Sequence, residues 1–258
     1  MNLINLKANL SWVIVIIITI NCLIFQNQYS WIKEYPQDYI VPLSLWMNLG
    51  MDWFVEWFGW IFKSISWFLE WPIKFVRNLL HFLPWSVTVF LFCLVSYIAS
   101  GWRLVIFTLL ATLYMVVIGY WVESMNSFSL VAISVPLAVL VGFSIGTWGF
   151  NSERAERFIK PSLDFLQTVP AFAYLLPILL LFGFGTTVGL LASLIYSFPP
   201  MVRNTILGLR QVPQEIIESG IMSGASKRQL FWLVRVPTAW RQILLGVNQT
   251  TMASLSMV

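Results

Sequence analysis

Charge is what this sequence has least of. Only 10% of its 258 residues are Asp, Glu, Lys or Arg, against about 25% in an ordinary soluble domain. Hydrophobic residues make up 59%, and the mean hydropathy is +0.79. This balance excludes a large soluble core and leaves a polytopic membrane protein, whose apolar surface faces lipid as well as neighbouring helices. Histidine is nearly missing. His81, at the aromatic edge Leu79–Trp85, reads as an interfacial structural residue rather than a catalytic one. Cys22 and Cys93 both lie in apolar runs, at a spacing that suggests neither a metal site nor a disulfide. There is no G-x-x-x-x-G-K-[ST] phosphate loop, and no HExxH, G-x-S-x-G or paired-cysteine motif. The chain is therefore expected to be no enzyme, to hold no metal and no cofactor, and not to hydrolyse ATP by itself. Its net charge of +4 is spread over loops and needs no nucleic-acid partner.

Aromatic residues and apolar runs are what the chain does have. Fourteen tryptophans and twenty phenylalanines are a membrane mark, since Trp and Tyr gather at headgroup level. Residues 1–82 read as an N-terminal region. Its first apolar run, Leu10–Phe25, is expected to be a retained span preceded by Lys7, with a signal peptide as the rival reading. Asn21 argues mildly against a purely lipid-facing helix there. Gln26 to Pro42 is polar and broken by Pro36. From Asn48 to Leu80, Asp52, Glu56, Lys63, Glu70, Lys74 and Arg77 keep to one stripe of a 3.6-period helix. Phe54, Val55, Phe58, Phe62, Ile65, Leu69, Ile73 and Val76 occupy the opposite face, with Trp53, Trp57, Trp60, Trp67 and Trp71 among them. This pattern predicts an external amphipathic helix over 48–80 lying in the membrane surface, broken at Pro72. A soluble helical hairpin packed on itself is the alternative.

Residues 83–258 carry the remaining apolar runs: Trp85–Ser100, Leu104–Tyr120, Phe128–Phe150, Phe165–Phe184 interrupted by Pro170 and Pro177, Thr187–Phe198 short of Pro199-Pro200, and Ile243–Val258. Gly142, Gly146 and Gly149 in the third run allow close helix approach. The last run ends at Val258 without a polar flank or aromatic anchor, so natural sequence is expected to continue beyond it. Basic residues alternate between loops. Arg154, Arg157 and Lys160, then Arg203, Arg210, Lys227, Arg228, Arg235 and Arg241, mark cytoplasmic segments, while Trp121–Asn126 and Gly183–Thr186 have no Lys or Arg. This bias predicts a multi-pass protein of the inner (cytoplasmic) membrane, with Met1 inside and the Trp-rich helix outside.

Two polar groups fall within or beside apolar runs. Gln167 and Thr168 precede Pro170, Phe172 and Tyr174, and Asn248, Gln249 and Thr250 lie in the last run. Buried polar side chains in lipid are costly unless they face the bundle or a watery path. These residues are candidates for a translocation path, with interhelical hydrogen bonding as the equal alternative.

The most specific stretch is a polar and basic island between apolar regions, Glu218-Ser219-Gly220, three residues, Gly224, nine residues, Val234-x-Val236-Pro237. Its composition predicts a short helix, a glycine-marked turn and a second amphipathic piece ended by proline. The spacing resembles the "EAA" loop of permease subunits in binding-protein-dependent ABC importers, Glu-Ala-Ala, three, Gly, nine, Ile-x-Leu-Pro. Ser219 and Gly220 replace the alanines and stay small. Leu163–Tyr174, Phe198–Pro213 and Gly246–Thr250 further resemble permeases for glycine betaine and proline betaine.

The resemblance implies an all-α, MetI-like type I importer permease whose loop over 203–241 carries a coupling helix. Glu218, Ser219, Gly220, Gly224, Lys227, Arg228 and Pro237 would be its coupling residues. It also implies two cytoplasmic ABC ATPase subunits holding ATP and Mg, a periplasmic or external substrate-binding protein, a second permease copy, the lipid bilayer and a small osmolyte substrate. Choline, dimethylsulfoniopropionate, taurine or an amino acid are alternative substrates. A non-transporting membrane scaffold or sensor is the alternative class.

Overall fold

A computed structural model describes residues 2–25, 29 and 42–258. The polar stretch read between Gln26 and Pro42 lies outside the described residues, except for Tyr29 and Pro42. Every described element is helical. In chain order these are α1 (Asn2–Phe25), α2 (Leu43–Phe82), α3 (Trp85–Ser100), α4 (Trp102–Ile118), α5 (Trp121–Asn151), α6 (Glu153–Thr168), α7 (Ala171–Phe182), α8 (Thr186–Arg210) and α9 (Gln214–Met222). They continue with α10 (Lys227–Gln229), a π-helical segment (Leu230–Arg235), α11 (Val236–Thr238) and α12 (Trp240–Met257). The chain divides into two compact units, Met1–Glu56 and Trp57–Val258.

In the first unit, α1 is exposed along the whole of Trp12–Phe25. Two polar residues within this stretch fold back onto the helix. Thr19 Oγ1 donates to the Val15 carbonyl at 2.8 Å, and Asn21 Nδ2 to the Ile17 carbonyl at 2.9 Å. This bond offsets part of the cost of placing the Asn21 amide in an apolar environment.

In the second unit the core is built by α5, α8 and α12, whose mutual contacts are the most extensive in the chain. The reason is steric. A Cβ on Gly142 would lie 2.6 Å from Met201 Cβ, and one on Gly146 2.6 Å from Thr205 Cβ, so α5 and α8 meet backbone to backbone. On the other side of α8, a Cβ on Gly246 of α12 would lie 2.9 Å from Asn204 Cβ. Trapped between two partners, α8 holds fourteen buried residues. The α3–α4 pair joins at Gly101 and is pinned by Ser96 and Thr108, whose hydroxyls lie 2.7 Å apart. Among the described residues, α5 alone is long and apolar enough to cross a membrane by itself, and the count rises to three if the bent pairs α2–α3 and α6–α7 each act as one span.

Proline behaves differently from the sequence reading in four places. Pro72 does not break α2, which runs unbroken from Leu43 to Phe82. The expected run over Phe165–Phe184 is two helices, because only Pro170 interrupts it while Pro177 lies inside α7. Helix α8 continues through Pro199 and Pro200 to Arg210 instead of stopping at Phe198. Membrane helices tolerate such prolines where flanking helices hold the path, and α5 and α12 do so here. Pro237 does not end the second piece of the island either. It sits in α11 directly after the π segment. There Val236 N–H reaches back five residues to the Phe231 carbonyl, a wider turn in which the proline ring escapes the clash an α-helix would impose.

Candidate functional site

The island folds as a hairpin that leaves the bundle at the end of α8. Helix α9 stops in a Schellman motif, in which Ala225 N–H donates to the Gly220 carbonyl at 3.1 Å and Gly224 N–H to the Ile221 carbonyl at 2.9 Å. Gly224 takes φ +76°, a left-handed conformation that side-chain-bearing residues rarely adopt. The chain then restarts in a capping box: Ser226 Oγ accepts from Gln229 N–H at 3.4 Å, and Gln229 Oε1 accepts from Ser226 N–H at 2.9 Å. The two arms meet at Gly220, where a Cβ would lie 2.8 Å from Leu230 Cδ1 and 3.3 Å from Val234 Cγ2. The residue facing the second arm must therefore be small.

Apolar anchors tie the hairpin to the core. Ile217 and Val212 are buried in one cluster with Met201, Leu209, Ala239 and Ile243, flanked by Leu230, Phe231 and Val236. Arg235 lies 5.0 Å over the Phe150 ring at the end of α5. The outward face carries Ile221, Met222 and Leu233, of which Met222 is 87% exposed and Leu233 70%. Glu218, Ser219, Lys227 and Arg228 are all exposed on the hairpin. Glu218 Oε1 accepts from Gln214 Nε2 at 3.2 Å.

The polar candidates outside the hairpin separate into two places. At the α6–α7 joint, Pro170 forces Val169 into extended backbone. The Tyr174 hydroxyl then donates to the Val169 carbonyl at 2.7 Å and also meets the Leu166 carbonyl, covering the open end of α6. Thr168 Oγ1 donates to the Phe165 carbonyl at 2.9 Å. Gln167, Pro170 and Phe172 are exposed. At the α8–α12 seam, Asn204 is fully used. Its Nδ2 donates to Gln249 Oε1 and to the Pro200 carbonyl, each at 2.8 Å, and its Oδ1 accepts from Gln242 Nε2 at 2.6 Å. Thr250 is fully buried and its hydroxyl has no partner, while Asn248 is exposed.

Sequence reasoning did not single out the deepest polar feature. Ser134 of α5, Ser193 of α8 and Ser254 of α12 are each 0% exposed, and their hydroxyls form a closed ring with sides of 2.7, 2.8 and 3.3 Å. Three hydroxyls supply three protons, so every member can donate once and accept once. Nor did it find the charged contacts of α6. Glu156, buried against α8, pairs with Arg210 and with Lys160 at 2.9 Å, and Asp164 pairs with Arg203 at 2.5 Å. The hydrogen bond from Lys160, with added attraction from Arg210, holds the Glu156 carboxyl below its ordinary range despite burial. These pairs bring the two basic segments, 153–161 and 200–244, to one end of the bundle. An acid four residues before a lysine, facing an arginine fifty-four residues on, was the available signal. Among the described residues no three His, Cys, Asp or Glu side chains gather into a metal-binding group.

Comparisons with known proteins agree on one kind of molecule. Residues 134–257 match the family described as "Binding-protein-dependent transport system inner membrane component". The chain is 44% identical over 219 residues to the glycine betaine/proline betaine transport system permease protein ProW of Salmonella typhimurium, a match covering 85% of this chain and 62% of the relative. It is 35% identical to the glycine betaine transport system permease protein OpuAB of Bacillus subtilis, over 84% of this chain and 77% of the relative. It is 41% identical to the trimethylamine N-oxide transport system permease protein TmoV of Pelagibacter ubique, over 64% of this chain and 23% of the relative. The chain thus spans less than two thirds of the length of the ProW protein it matches.

Proposed function

Because the chain belongs to the family of binding-protein-dependent transport system inner membrane components, we propose that it is the membrane-spanning subunit of an ATP-driven importer. Its substrate would be glycine betaine or a similarly compact methylated cation or zwitterion. Support for the substrate class comes from relatives named for glycine betaine, proline betaine and trimethylamine N-oxide, which share a methylated nitrogen. The fold would be of the MetI-like type, placed in the inner membrane with the hairpin on the cytoplasmic side. Residues 1–82 would add one crossing at α1 and the outer amphipathic helix α2.

The observation that carries this reading is the hairpin over Gln214–Thr238. It is fixed from behind by Ile217, Gly220 and the α5–α8–α12 core, and it presents an unpartnered face with Ile221, Met222 and Leu233. Such a rigid knob suits a groove on an ATPase, with Glu218, Lys227 and Arg228 supplying charged rim contacts. ATP and Mg would reside on that partner. A second permease copy and an external binding protein would complete the assembly. In this reading the permease does no chemistry: closure of the ATPase pair moves the hairpin, and α8, continuous with it through Val212, carries the movement into the bundle. Asn204, Gln242, Gln249 and Thr250 would line or adjust the path.

Uptake of labelled glycine betaine by vesicles holding this chain, its ATPase and its binding protein is the test. ATP-dependent uptake, competed by unlabelled trimethylamine N-oxide or proline betaine but not by taurine, is the expected result. Uptake of taurine or an amino acid instead would overturn the substrate class. Absence of any ATP-dependent uptake would favour the scaffold alternative.

A further inference from the structure

We propose that Ser66 and Glu70 of α2 are positioning residues that hold the first turn of α8, making the aromatic N-terminal helix a working part of the transport unit. Its functional readout rests on the permease reading above; the contact itself does not.

Four observations meet at this point. Ser66 Oγ and Thr187 Oγ1 lie 2.9 Å apart, and both hydroxyls reach Glu70 Oε1 at 3.4 Å. Lys74 Nζ holds the other carboxylate oxygen at 2.5 Å. Thr187, in the first turn of α8, is 1% exposed. One turn earlier on α2, Phe62 packs edge-on against Phe182 at the end of α7, with ring centroids 5.2 Å apart. Phe62, Ser66, Glu70 and the buried Ile73 follow at steps of 4, 4 and 3, so they form one face of α2. Trp57, Trp60, Trp67, Trp71 and Phe75 are exposed on the opposite side. Glu70, which the charge pattern placed on a solvent stripe, thus turns its carboxylate towards α8.

At this end α8 has a backbone bond from Val188 N–H to the Gly185 carbonyl at 3.2 Å but no side-chain cap of its own, although the first turn of a helix carries unsatisfied N–H groups and partial positive charge. The turn before it, Gly183-Phe184-Gly185, offers two glycines and a phenylalanine that is exposed. Glu70, its other oxygen held by Lys74, supplies from another helix a side-chain acceptor that the local sequence lacks. Helix α8 is one rod of roughly 37 Å, with this contact at one end, the serine ring in its core portion and the coupling hairpin beyond its other end. A shift of the first turn therefore moves the same body that the hairpin drives.

The test uses the complete transporter in vesicles, with Glu70→Ala, Thr187→Val and the double variant. Each single change is expected to lower the maximal uptake rate by roughly two- to fivefold, the range a charge at a helix end supplies, while leaving the half-saturating concentration of loaded binding protein unchanged. The double variant should lose no more than the worse single one, and Glu70→Gln should restore part of the rate. Additive losses, or undiminished uptake in all three, would overturn the proposal.

If a variant fails to assemble, the contact is read directly. Ser66→Cys with Thr187→Cys, in a chain whose Cys22 and Cys93 are replaced by serine, should form a disulfide in membranes on mild oxidation. No disulfide would overturn the contact. A disulfide, with no betaine moved even by the complex that carries no cross-link, would retain the contact and sink the permease reading instead.

Discussion

Helix α2 and the hairpin over Gln214–Thr238 look alike in sequence: both are amphipathic, and the hairpin and the part of α2 from Trp57 onward belong to the unit that holds the α5–α8–α12 core. Their attachments differ in the share of polar contacts. The hairpin is anchored by apolar burial of Val212 and Ile217 and by a contact so close that position 220 must be small. Helix α2 combines apolar contacts, Phe62 against Phe182 and the buried Ile73, with hydroxyls and a carboxylate at Ser66, Glu70 and Thr187, and His81 Nε2 lies 3.0 Å from Asn126 Oδ1 further along. Their exposed faces differ too. Tryptophan dominates on α2, which suits a lipid headgroup layer, whereas the hairpin shows the aliphatic Ile221 and Leu233 beside the adaptable Met222, which suit a protein groove. Amphipathy alone therefore does not separate the two faces; the kind of apolar residue does.

The comparison is easiest to break at Gly220. We predict that Gly220→Phe separates the two arms at a cost of about 1–3 kcal/mol, as overpacking does, and abolishes co-purification of the ATPase. Gly220→Ala should keep both, because the atom nearest the new Cβ is the mobile end of Leu230. Retained ATPase with the phenylalanine would refute the two-arm account.

A smaller effect belongs to the frame that both regions share. Ser193→Ala opens the serine ring and should lower stability by about 1 kcal/mol, read as a shift in thermal unfolding midpoint in detergent, with ATPase binding intact. A loss of ATPase binding at unchanged stability would mean that the ring belongs to the hairpin's machinery rather than to the frame.

Smaller still, replacing Trp67 and Trp71 by alanine should leave ATPase binding untouched while reducing tryptophan quenching by brominated lipid. Unchanged quenching would remove α2 from the membrane surface.

The smallest effect is a pH dependence. The Glu156 carboxyl is held below its ordinary value of 4.5 in the folded chain, so its contribution is complete above that value and is lost only as pH falls through the lowered one. The stability difference between wild type and Glu156→Gln should accordingly stay flat from about pH 8 to 5. A decline within that window would contradict the pairing with Lys160 and Arg210.

Much of this arrangement was legible in the chain. The apolar runs correspond to helices, and the Glu, Gly and Pro spacing marks a helix, a left-handed turn at Gly224 and a second helical arm. Proline was the recurrent source of error, since Pro72, Pro177, Pro199, Pro200 and Pro237 all sit within helical path. A local rule treats proline as a stop, but packing from both sides keeps α8 going through Pro199 and Pro200, and a π-turn does so at Pro237. The serine ring was illegible for another reason. Ser134, Ser193 and Ser254 are ordinary small residues in their own helices, and only the pairing of helices about sixty residues apart brings them together. Glu70 was misplaced by the same limit: periodicity assigns a face, not what the face meets.

The central claim is that the hairpin transmits force between an ATPase and α8, and Gly224→Val tests it most directly. Space around position 224 is open, so the variant changes the turn without a clash and strains it by about 1–2 kcal/mol. The measurement is betaine uptake together with the amount of ATPase retained on the purified complex. The account predicts that both fall together, by roughly tenfold for each 1.4 kcal/mol of strain passed to the contact, with the bundle still folded. Full uptake and full ATPase retention with valine at position 224 would contradict it.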